Sequence, residues 1–427
     1  MTHSIRDIGC RPAKSKAGYL SVAVMLALAC LWLSPQTAWS AEKAKTQEIS
    51  RVIAKEMTAA QKALQASQWA EAIKNLEAAE TKPGLNAFDK KTIYDFKGFA
   101  YVKLNNLKAA EQAYEAALAT GAYTPEDAAK TTRMLFRLSA GNQQLAKAAE
   151  YGKQVAESGA ATADDLAILS QIYYLQKDCK SSGQWADKAV AAARKAGETP
   201  KENLYQFKLQ CASDSGDTAG MAAASIDLIR LTNKSNYWNT LLRIERQDER
   251  DDHNTLMLYR VMYDTGSMTA GTDYIEMAQL LGDSALPAEA QTVLEKAMSA
   301  GLITDQQKER TTRLLNSFKS RAEADKKGLP QLDAEAKKNP AGELDVKLGE
   351  VYYGVGDYQN AVSAINRGLQ KGQIKHLDEA YVYLGRSQVA LKNTADAKKA
   401  FAGLKQVPNI SPRVLKLWEL YADTLGR

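Results

Sequence analysis

The chain has 427 residues, of which 45% are hydrophobic and 25% are charged, and it contains only 10 prolines. This balance excludes a disordered or fibrous chain and allows one sizeable core or several. The formal net charge of +6 falls to +3 without the first 40 residues, which carry four positive charges and one negative. So small a charge argues against nucleic acid as a partner.

The first 40 residues have the three parts of a secretory signal peptide. Four basic residues within 1–16 precede an uncharged run at 19–33, and Ala38 and Ser40 have the small-residue spacing of a cleavage site. We therefore predict a signal peptide at 1–40, cleavage after Ser40, no membrane span after cleavage, and a mature protein in the bacterial (Gram-negative) periplasm. The run is shorter than the ~20 residues that span a bilayer. An uncleaved inner-membrane anchor through residues 19–33 is the alternative.

Two cysteines follow the predicted signal peptide, Cys179 and Cys211. Export to an oxidising compartment favours a disulfide between them. Such a bridge would stabilise the fold by roughly 3–4 kcal/mol on the chain-entropy estimate. The alternative is a pair of buried free thiols.

The rest of the chain has the apolar spacing of helices. Apolar residues recur at i, i+3 and i+4, alanine-rich runs favour helix, and no convincing alternating run indicates a strand. We therefore predict an almost entirely α-helical chain.

A repeat with a period in the thirties runs through these helices. Leu348-Gly349 is followed by Ala361, and Leu384-Gly385 is followed by Ala397, at an offset of 36 residues. Self-similarity of this kind is typical of helical repeat arrays. A small residue in the first helix and an alanine in the second would let two helix backbones approach closely.

The pattern resembles the tetratricopeptide repeat, with a small residue at position 8, alanine at 20 and a large residue at 24. The resemblance implies an all-α solenoid of about ten helix-turn-helix repeats forming a right-handed superhelix. The residues assigned to position 20 are Ala72, Ala110, Ala148, Ser182, Ala222, Asn254, Ala290, Ala361 and Ala397.

The repeats divide the chain into two predicted arrays. An N-terminal array covers 41–320, and residues 321–341 form a bend or a divergent repeat, with one degenerate repeat hidden around 305–340. A C-terminal pair with a capping helix covers 342–427, and Trp418 is the predicted anchor of that cap.

The sequence offers no recognisable catalytic motif. Only His253 and His376 remain once the signal peptide is removed, both in polar turn-like settings without a matching ligand cluster, and no zinc-protease, nucleophile-elbow or phosphate-loop motif occurs. The acidic run at 245–252 is interpreted as a solvated hinge. We therefore expect no enzyme activity, no cofactor and no metal.

The resemblance also implies a binding groove on the concave face, formed by first-helix positions 2, 5, 9 and 12. A mixture of carboxylates, an arginine and aromatics suits an extended peptide or a partner helix. The residues at those positions are Asp95, Phe99, Val102, Glu343, Val346, Glu350, Tyr353, Glu379, Val382, Arg386 and Val389.

The C-terminal third, mainly residues 342–425, resembles periplasmic tetratricopeptide proteins that accompany TonB–ExbB–ExbD energy-transduction systems. This implies a non-enzymatic scaffold that binds a protein or peptide partner, with TonB, ExbB or ExbD as the expected partners. The alternative is an envelope assembly factor that holds outer-membrane or peptidoglycan-modifying proteins. A hydrolase built on the solenoid is disfavoured because no nucleophile–base pattern is found.

Overall fold

A computed structural model describes residues 48–426, and the predicted signal peptide lies outside them. Every regular element of the described residues is a helix, and eighteen of these helices form nine consecutive hairpins. The first five hairpins are α1 (Ala54–Gln65) with α2 (Trp69–Glu80), α3 (Ala87–Lys103) with α4 (Leu107–Ala119), α5 (Pro125–Gly141) with α6 (Leu145–Glu157), α7 (Ala163–Leu175) with α8 (Cys179–Lys195), and α9 (Glu202–Ser215) with α10 (Thr218–Thr232).

Four more hairpins, one long helix and a terminal helix complete the array. The hairpins are α11 (Ser235–Gln247) with α12 (Asp252–Asp264), α13 (Gly271–Asp283) with α14 (Pro287–Ser299), α16 (Glu343–Gly354) with α17 (Tyr358–Lys371), and α18 (Leu377–Ala390) with α19 (Thr394–Ala402). The long helix is α15 (Asp305–Lys338), and a short 3₁₀ turn precedes α20 (Pro412–Thr424). This all-α solenoid of helical hairpins agrees with the fold predicted from the repeat.

Eight of the nine hairpin turns have a residue at positive φ just after the first helix, and the turn between α11 and α12 does not. A residue at positive φ ends the first helix, as at Lys177 (φ 62°) and Gly356 (φ 82°). The next residue then caps the second helix: the carboxylates of Asp178 and Asp357 each accept a backbone N–H three residues on. Four of these second helices have such a side-chain cap, from Asn106, Asp178, Asp217 and Asp357.

The helices of a hairpin cross where a small residue faces a large one sixteen positions later. A Cβ added to Gly349 would lie 2.4 Å from Cγ1 of Ile365, and one added to Gly385 would lie 2.4 Å from the Phe401 ring. Gly98 faces Tyr114 in the same way. The glycine in the apolar face is therefore required by close backbone approach.

The third hairpin inverts this arrangement. Its first helix carries Phe136, which is fully buried, and the residue sixteen positions later is Gly152. A Cβ on Gly152 would lie 2.7 Å from the Phe136 ring. In this hairpin the large residue is on the first helix and the small residue is on the second. The two side chains together fill a similar volume at the crossing, although the order of small and large residues in the sequence is reversed.

The predicted position-20 residues occupy one structural site in seven hairpins. They are the fourth residue of the second helix and are at most 1% exposed: Ala72, Ala110, Ala148, Ser182, Ala290, Ala361 and Ala397. Ala222 and Asn254 differ because both are partly exposed. The fourth residue of α12 is the buried Thr255, so the predicted register was one residue early there. The fourth residue of α10 is Met221, which is partly exposed, so the predicted register was one residue late there.

Residues 305–338 form one continuous helix, α15, where a degenerate hairpin was predicted. Gly328 and Pro330 lie inside it without ending it. One face of α15 packs against the hairpins on both sides of it. Phe318 packs against Gly282 of α13, and Leu329 packs in a small core with Leu348 of α16. The helix thus replaces a hairpin by bridging the hairpins before and after it.

The C-terminal hairpins fold back onto α12. Eight consecutive residues of α12, Thr255–Met262, are buried, so this helix has neighbours on all sides. The last helix, α20, packs on α10, α12 and α19, and Trp418 is fully buried against Phe401 at 5.0 Å between ring centroids.

Among residues 48–426, no helix has both the length and the apolarity that a membrane crossing requires.

Candidate partner-binding surface

The structure separates the predicted groove residues into an open set and a buried set. Asp95, Phe99 and Val102 lie along α3 and are partly exposed. Phe99 rests edge-on against Trp69 of α2, with ring centroids 5.9 Å apart. Asp95 accepts a hydrogen bond from the hydroxyl of Tyr123, and burial raises the pKa of Asp95. This part of the predicted groove remains accessible to a partner.

A separate cleft of about 920 Å³ lies between α5, α7 and α8. Its charged lining residues include more cations than carboxylates: Lys130, Arg133, Arg137 and Lys195 against Asp164 and Glu198. Met134 and several alanines supply its apolar surface. A cleft with this lining can accept an extended segment that carries negative charge.

Two of the cleft arginines are fixed by a buried carboxylate beneath them. Nη2 of Arg137 donates to Oδ1 of Asp165 at 2.8 Å, and Arg133 also donates to this carboxylate. Burial alone would raise the pKa of Asp165, but Arg133, the backbone N–H of Thr162 and Arg137 outweigh it and lower that pKa to about 2. The arginines are therefore held at the cleft while parts of their side chains stay exposed.

The C-terminal part of the predicted groove needs a correction. Five of its eight residues are buried, namely Val346, Glu350, Glu379, Val382 and Arg386. Glu343, Tyr353 and Val389 are partly exposed. The cause is the return of the C-terminal hairpins onto α12 and α14, which cover the face that an extended array would leave open. In this structure that face contacts the chain's own helices.

Arg386 is the centre of the contact. Its Nε and Nη2 donate to the two oxygens of Asp264 at 2.8 and 3.0 Å, and its Nη1 donates to Oε1 of Glu289 at 2.6 Å. Nearby, the fully buried Arg260 donates to the hydroxyl of Tyr383 at 2.7 Å, and this hydroxyl donates to Glu289 at 2.5 Å. The charges are buried but paired, which is the condition for tolerating them in a core.

A second carboxylate pair adjoins this network. Nζ of Lys347 lies 2.9 Å from Glu350 and 3.3 Å from Glu379. Burial and the charge of Glu379 raise the pKa of Glu350. Burial opposes ionisation of Glu379, but Arg260 and Lys347 outweigh it and lower the pKa of Glu379. Lys347 thus lies between these two carboxylates, and Oε1 of Glu379 also lies 3.6 Å from Nη1 of Arg260.

A disulfide joins two neighbouring hairpins on the N-terminal side of this network. Cys179 is the first residue of α8, and Cys211 lies in α9, with the two Cα atoms 5.6 Å apart. The bridge ties the start of α8 in the fourth hairpin to α9 in the fifth.

The two histidines lie together, an arrangement that the sequence analysis missed. His253 is the second residue of α12 and His376 immediately precedes α18, yet their ring centroids are 5.5 Å apart. Asp378 lies between them, with Oδ2 2.5 Å from Nε2 of His253. The two histidines are 123 positions apart in the chain, so no local motif could have revealed this cluster.

The acidic run at 245–252 spans the connection from α11 to α12, where Glu245 and Glu249 pair with Arg413 of α20.

No family model and no curated protein matches this chain. Among solved structures, Naa15/Naa10 bound to HypK-THB is similar over 85% of this chain, with 13% identity and a TM-score of 0.39; this chain covers 64% of that one, less than two thirds of its length. The C-terminal part of a TPR repeat-containing protein from Cytophaga hutchinsonii has 11% identity and a TM-score of 0.32, covering 84% of this chain and 97% of that one. The TPR2AB domain of yeast Sti1, in complex with pHSP90, has 13% identity and a TM-score of 0.26, covering 87% and 98%. The solved structures similar to this chain thus include tetratricopeptide-repeat proteins, and the chain itself is a helical repeat array.

Proposed function

We propose that this protein is a non-enzymatic scaffold of the bacterial periplasm that holds a protein partner on its N-terminal hairpins. The observation that carries the proposal is the contrast between the two ends of the array. The C-terminal groove face is covered by α12 and α14, whereas α3 and the cleft beside α5 remain open. An open helical face suits an extended segment of another protein.

The chemistry of the cleft specifies the kind of segment. Arg133 and Arg137 are held in place by Asp165, so little side-chain entropy is lost when a ligand contacts them. Met134 offers apolar contact within the cleft, and the partly exposed Phe99 offers an apolar surface on α3. The expected partner is an extended segment with carboxylates and a few apolar anchors.

The proposed partner is a component of a TonB–ExbB–ExbD system. Support comes from the resemblance of residues 342–425 to periplasmic proteins that accompany such systems. Because much of that segment is buried against its own chain, we assign the partner contact to the N-terminal hairpins. The C-terminal hairpins would then serve to close and stabilise the scaffold.

Photo-crosslinking in cells of the native host tests this proposal. A photoreactive residue replaces Met134 in the cleft or Phe99 on α3, and the same residue at exposed Glu150 on α6 serves as the control. Adducts with TonB, ExbB or ExbD from the first two positions, absent from the control, would support the proposal. Adducts with an outer-membrane assembly protein or a cell-wall enzyme would replace it with the assembly-factor function.

Charge reversal provides an independent check on the cleft. Lys195→Glu places a carboxylate in the cleft lining, whereas Lys180→Glu changes an exposed lysine of the same helix outside it. We expect Lys195→Glu to reduce the adduct yield and Lys180→Glu to leave it unchanged. Equal yields from both variants would remove the cleft from the partner site.

A further inference from the structure

His253, His376 and Asp378 form a cluster that joins the start of α12 to the start of α18. Their potential ligand atoms all lie within 4.8 Å of one another. We propose that this cluster binds a divalent transition-metal ion of the Zn²⁺ type. The proposal is independent of the partner site, which lies on α3, α5, α7 and α8.

The donor set suits such an ion. Two imidazoles and one carboxylate are ligands that Zn²⁺ accepts, with water completing a four-coordinate site. Ligand atoms on one zinc lie about 3.3 Å apart for bonds of about 2.0–2.1 Å, so the distances between ligand atoms would have to change by at most about 1.5 Å. All three residues are neither fully buried nor fully exposed, which allows the ion to enter from solvent.

A neighbouring carboxylate is placed to orient one ligand. Nε2 of His253 faces Asp378 at 2.5 Å, while its other ring nitrogen, Nδ1, lies 3.7 Å from Oε1 of Glu379. Metal-bound histidines commonly direct their second nitrogen at a carboxylate, which fixes the ring and strengthens the ligand. Glu379 is 4% exposed, so it is a fixed group and not a mobile surface side chain.

The charges around the cluster permit a cation. The nearest buried cation, Arg260, already contacts Tyr383 and Glu379. Exposed Asp251 and Asp252 directly precede His253, and their negative charge attracts a cation. A bound ion would link α12 to α18 across 123 residues of sequence and so strengthen the return of the C-terminal hairpins.

The test uses the untagged chain of residues 41–427, treated with chelator and titrated with ZnCl₂ in a calorimeter. We expect one saturable zinc per chain and a rise in the thermal midpoint that excess chelator reverses, because an ion that binds only the folded state stabilises it. The absence of saturable binding, or binding without a shift in the midpoint, would overturn the proposal.

Variants separate a metal site from the existing hydrogen bond between His253 and Asp378. His376→Asn leaves that pair intact and removes one ligand, so it should lose zinc binding while keeping the metal-free thermal midpoint. Asp252→Asn, next to the cluster but not a ligand, should retain a stoichiometry of one. X-ray absorption of the zinc-loaded chain should show imidazole ligands that disappear in His376→Asn. Unchanged zinc binding by His376→Asn would refute the site.

Discussion

Arg386 and Glu289 are 97 positions apart in the sequence, yet Nη1 of one lies 2.6 Å from Oε1 of the other in the core. The same guanidinium donates twice to Asp264. One side chain of α18 thereby pairs with a carboxylate of α12 and with a carboxylate of α14. This contact holds the C-terminal hairpins against α12 and α14.

Arg386→Met should destabilise the C-terminal hairpins more than any exposed charge substitution. The variant leaves the buried Glu289 and the partly buried Asp264 without their main cation, and removing one partner of a buried pair costs about 3–5 kcal/mol. Hydrogen exchange of α18 and α20 should become faster, because the return onto α12 is weakened. Urea unfolding followed by circular dichroism would measure the loss of stability.

Arg313→Met is the matched control for that substitution. Arg313 pairs with Glu309 on the exposed surface of α15, with both side chains more than 70% exposed. Exposed pairs of this kind contribute about 0–1 kcal/mol, so its unfolding curve should nearly overlay that of the unchanged chain. Comparable losses in the two variants would contradict the role assigned to Arg386.

Gly349→Ala tests the helix crossing of the eighth hairpin. The new Cβ would lie 2.4 Å from Cγ1 of Ile365 and 3.1 Å from the carbonyl oxygen of Ala361, and overpacking of this kind costs about 1–3 kcal/mol. Gly183→Ala is the control, since a Cβ there meets nothing within 4 Å and alanine is favoured in a helix by about 1 kcal/mol. The two thermal midpoints should move in opposite directions.

A double variant makes the same test specific to the facing pair. Ile365→Ala removes the atoms that a Cβ on residue 349 would meet, so Gly349→Ala should cost less in that background than in the unchanged chain. The inverted pair Phe136 and Gly152 shows that the fold tolerates such an exchange. Additive costs of the two substitutions would indicate that the two residues are not coupled.

The hairpins could be predicted from sequence because their rules are local. A small residue, a turn with Asp or Asn, and a large residue sixteen positions on are all visible within one repeat, as at Gly349, Asp357 and Ile365. Reliance on local rules also explains why a degenerate repeat was wrongly predicted around 305–340. Gly328 and Pro330 resemble a break, yet α15 continues through them because its one apolar face is covered by helices from two other hairpins.

The buried half of the groove could not be predicted in this way. Glu379 and Arg386 follow the spacing of an exposed concave face, and nothing near them in the sequence indicates a cover. Their partners, among them Arg260 and Glu289, come from hairpins about 90–120 positions earlier. Contacts between the C-terminal hairpins and helices so much earlier in the chain produce no periodic pattern in the sequence. The exposure of the α3 side chains, in contrast, depends on packing with neighbouring hairpins.

Reduction should lower the stability of the fourth and fifth hairpins. The bridge between Cys179 and Cys211 spans 32 residues, for which the chain-entropy estimate is about 3–4 kcal/mol. We expect the oxidised chain to bind no thiol reagent under denaturing conditions, and the Cys179→Ser, Cys211→Ser double variant to unfold at lower urea. Two labelled thiols per mature chain without reductant would exclude the disulfide.

Asp165→Asn should destabilise the third and fourth hairpins in a pH-dependent way. Folding lowers the pKa of Asp165 to about 2, from about 3.9 in an unfolded chain. The ionised carboxylate is therefore favoured by folding, and its contribution is complete above the unfolded pKa and lost as the pH falls towards 2. Since Arg133 and Arg137 are partly exposed, solvent screening reduces the expected loss at pH 7 to about 1–2 kcal/mol.

The decisive measurement is the difference in unfolding free energy between the unchanged chain and Asp165→Asn at several pH values. This difference should be constant between pH 5 and pH 7 and should shrink steadily between pH 4 and pH 2, because asparagine cannot lose the charge that Asp165 loses. Asp164→Asn, which alters an exposed carboxylate paired with Lys201, should differ little from the unchanged chain at any pH. A difference for Asp165→Asn that stays constant down to pH 2 would mean that the carboxylate acts through packing and its N–H bonds, and that its charge does not hold the cleft arginines in place.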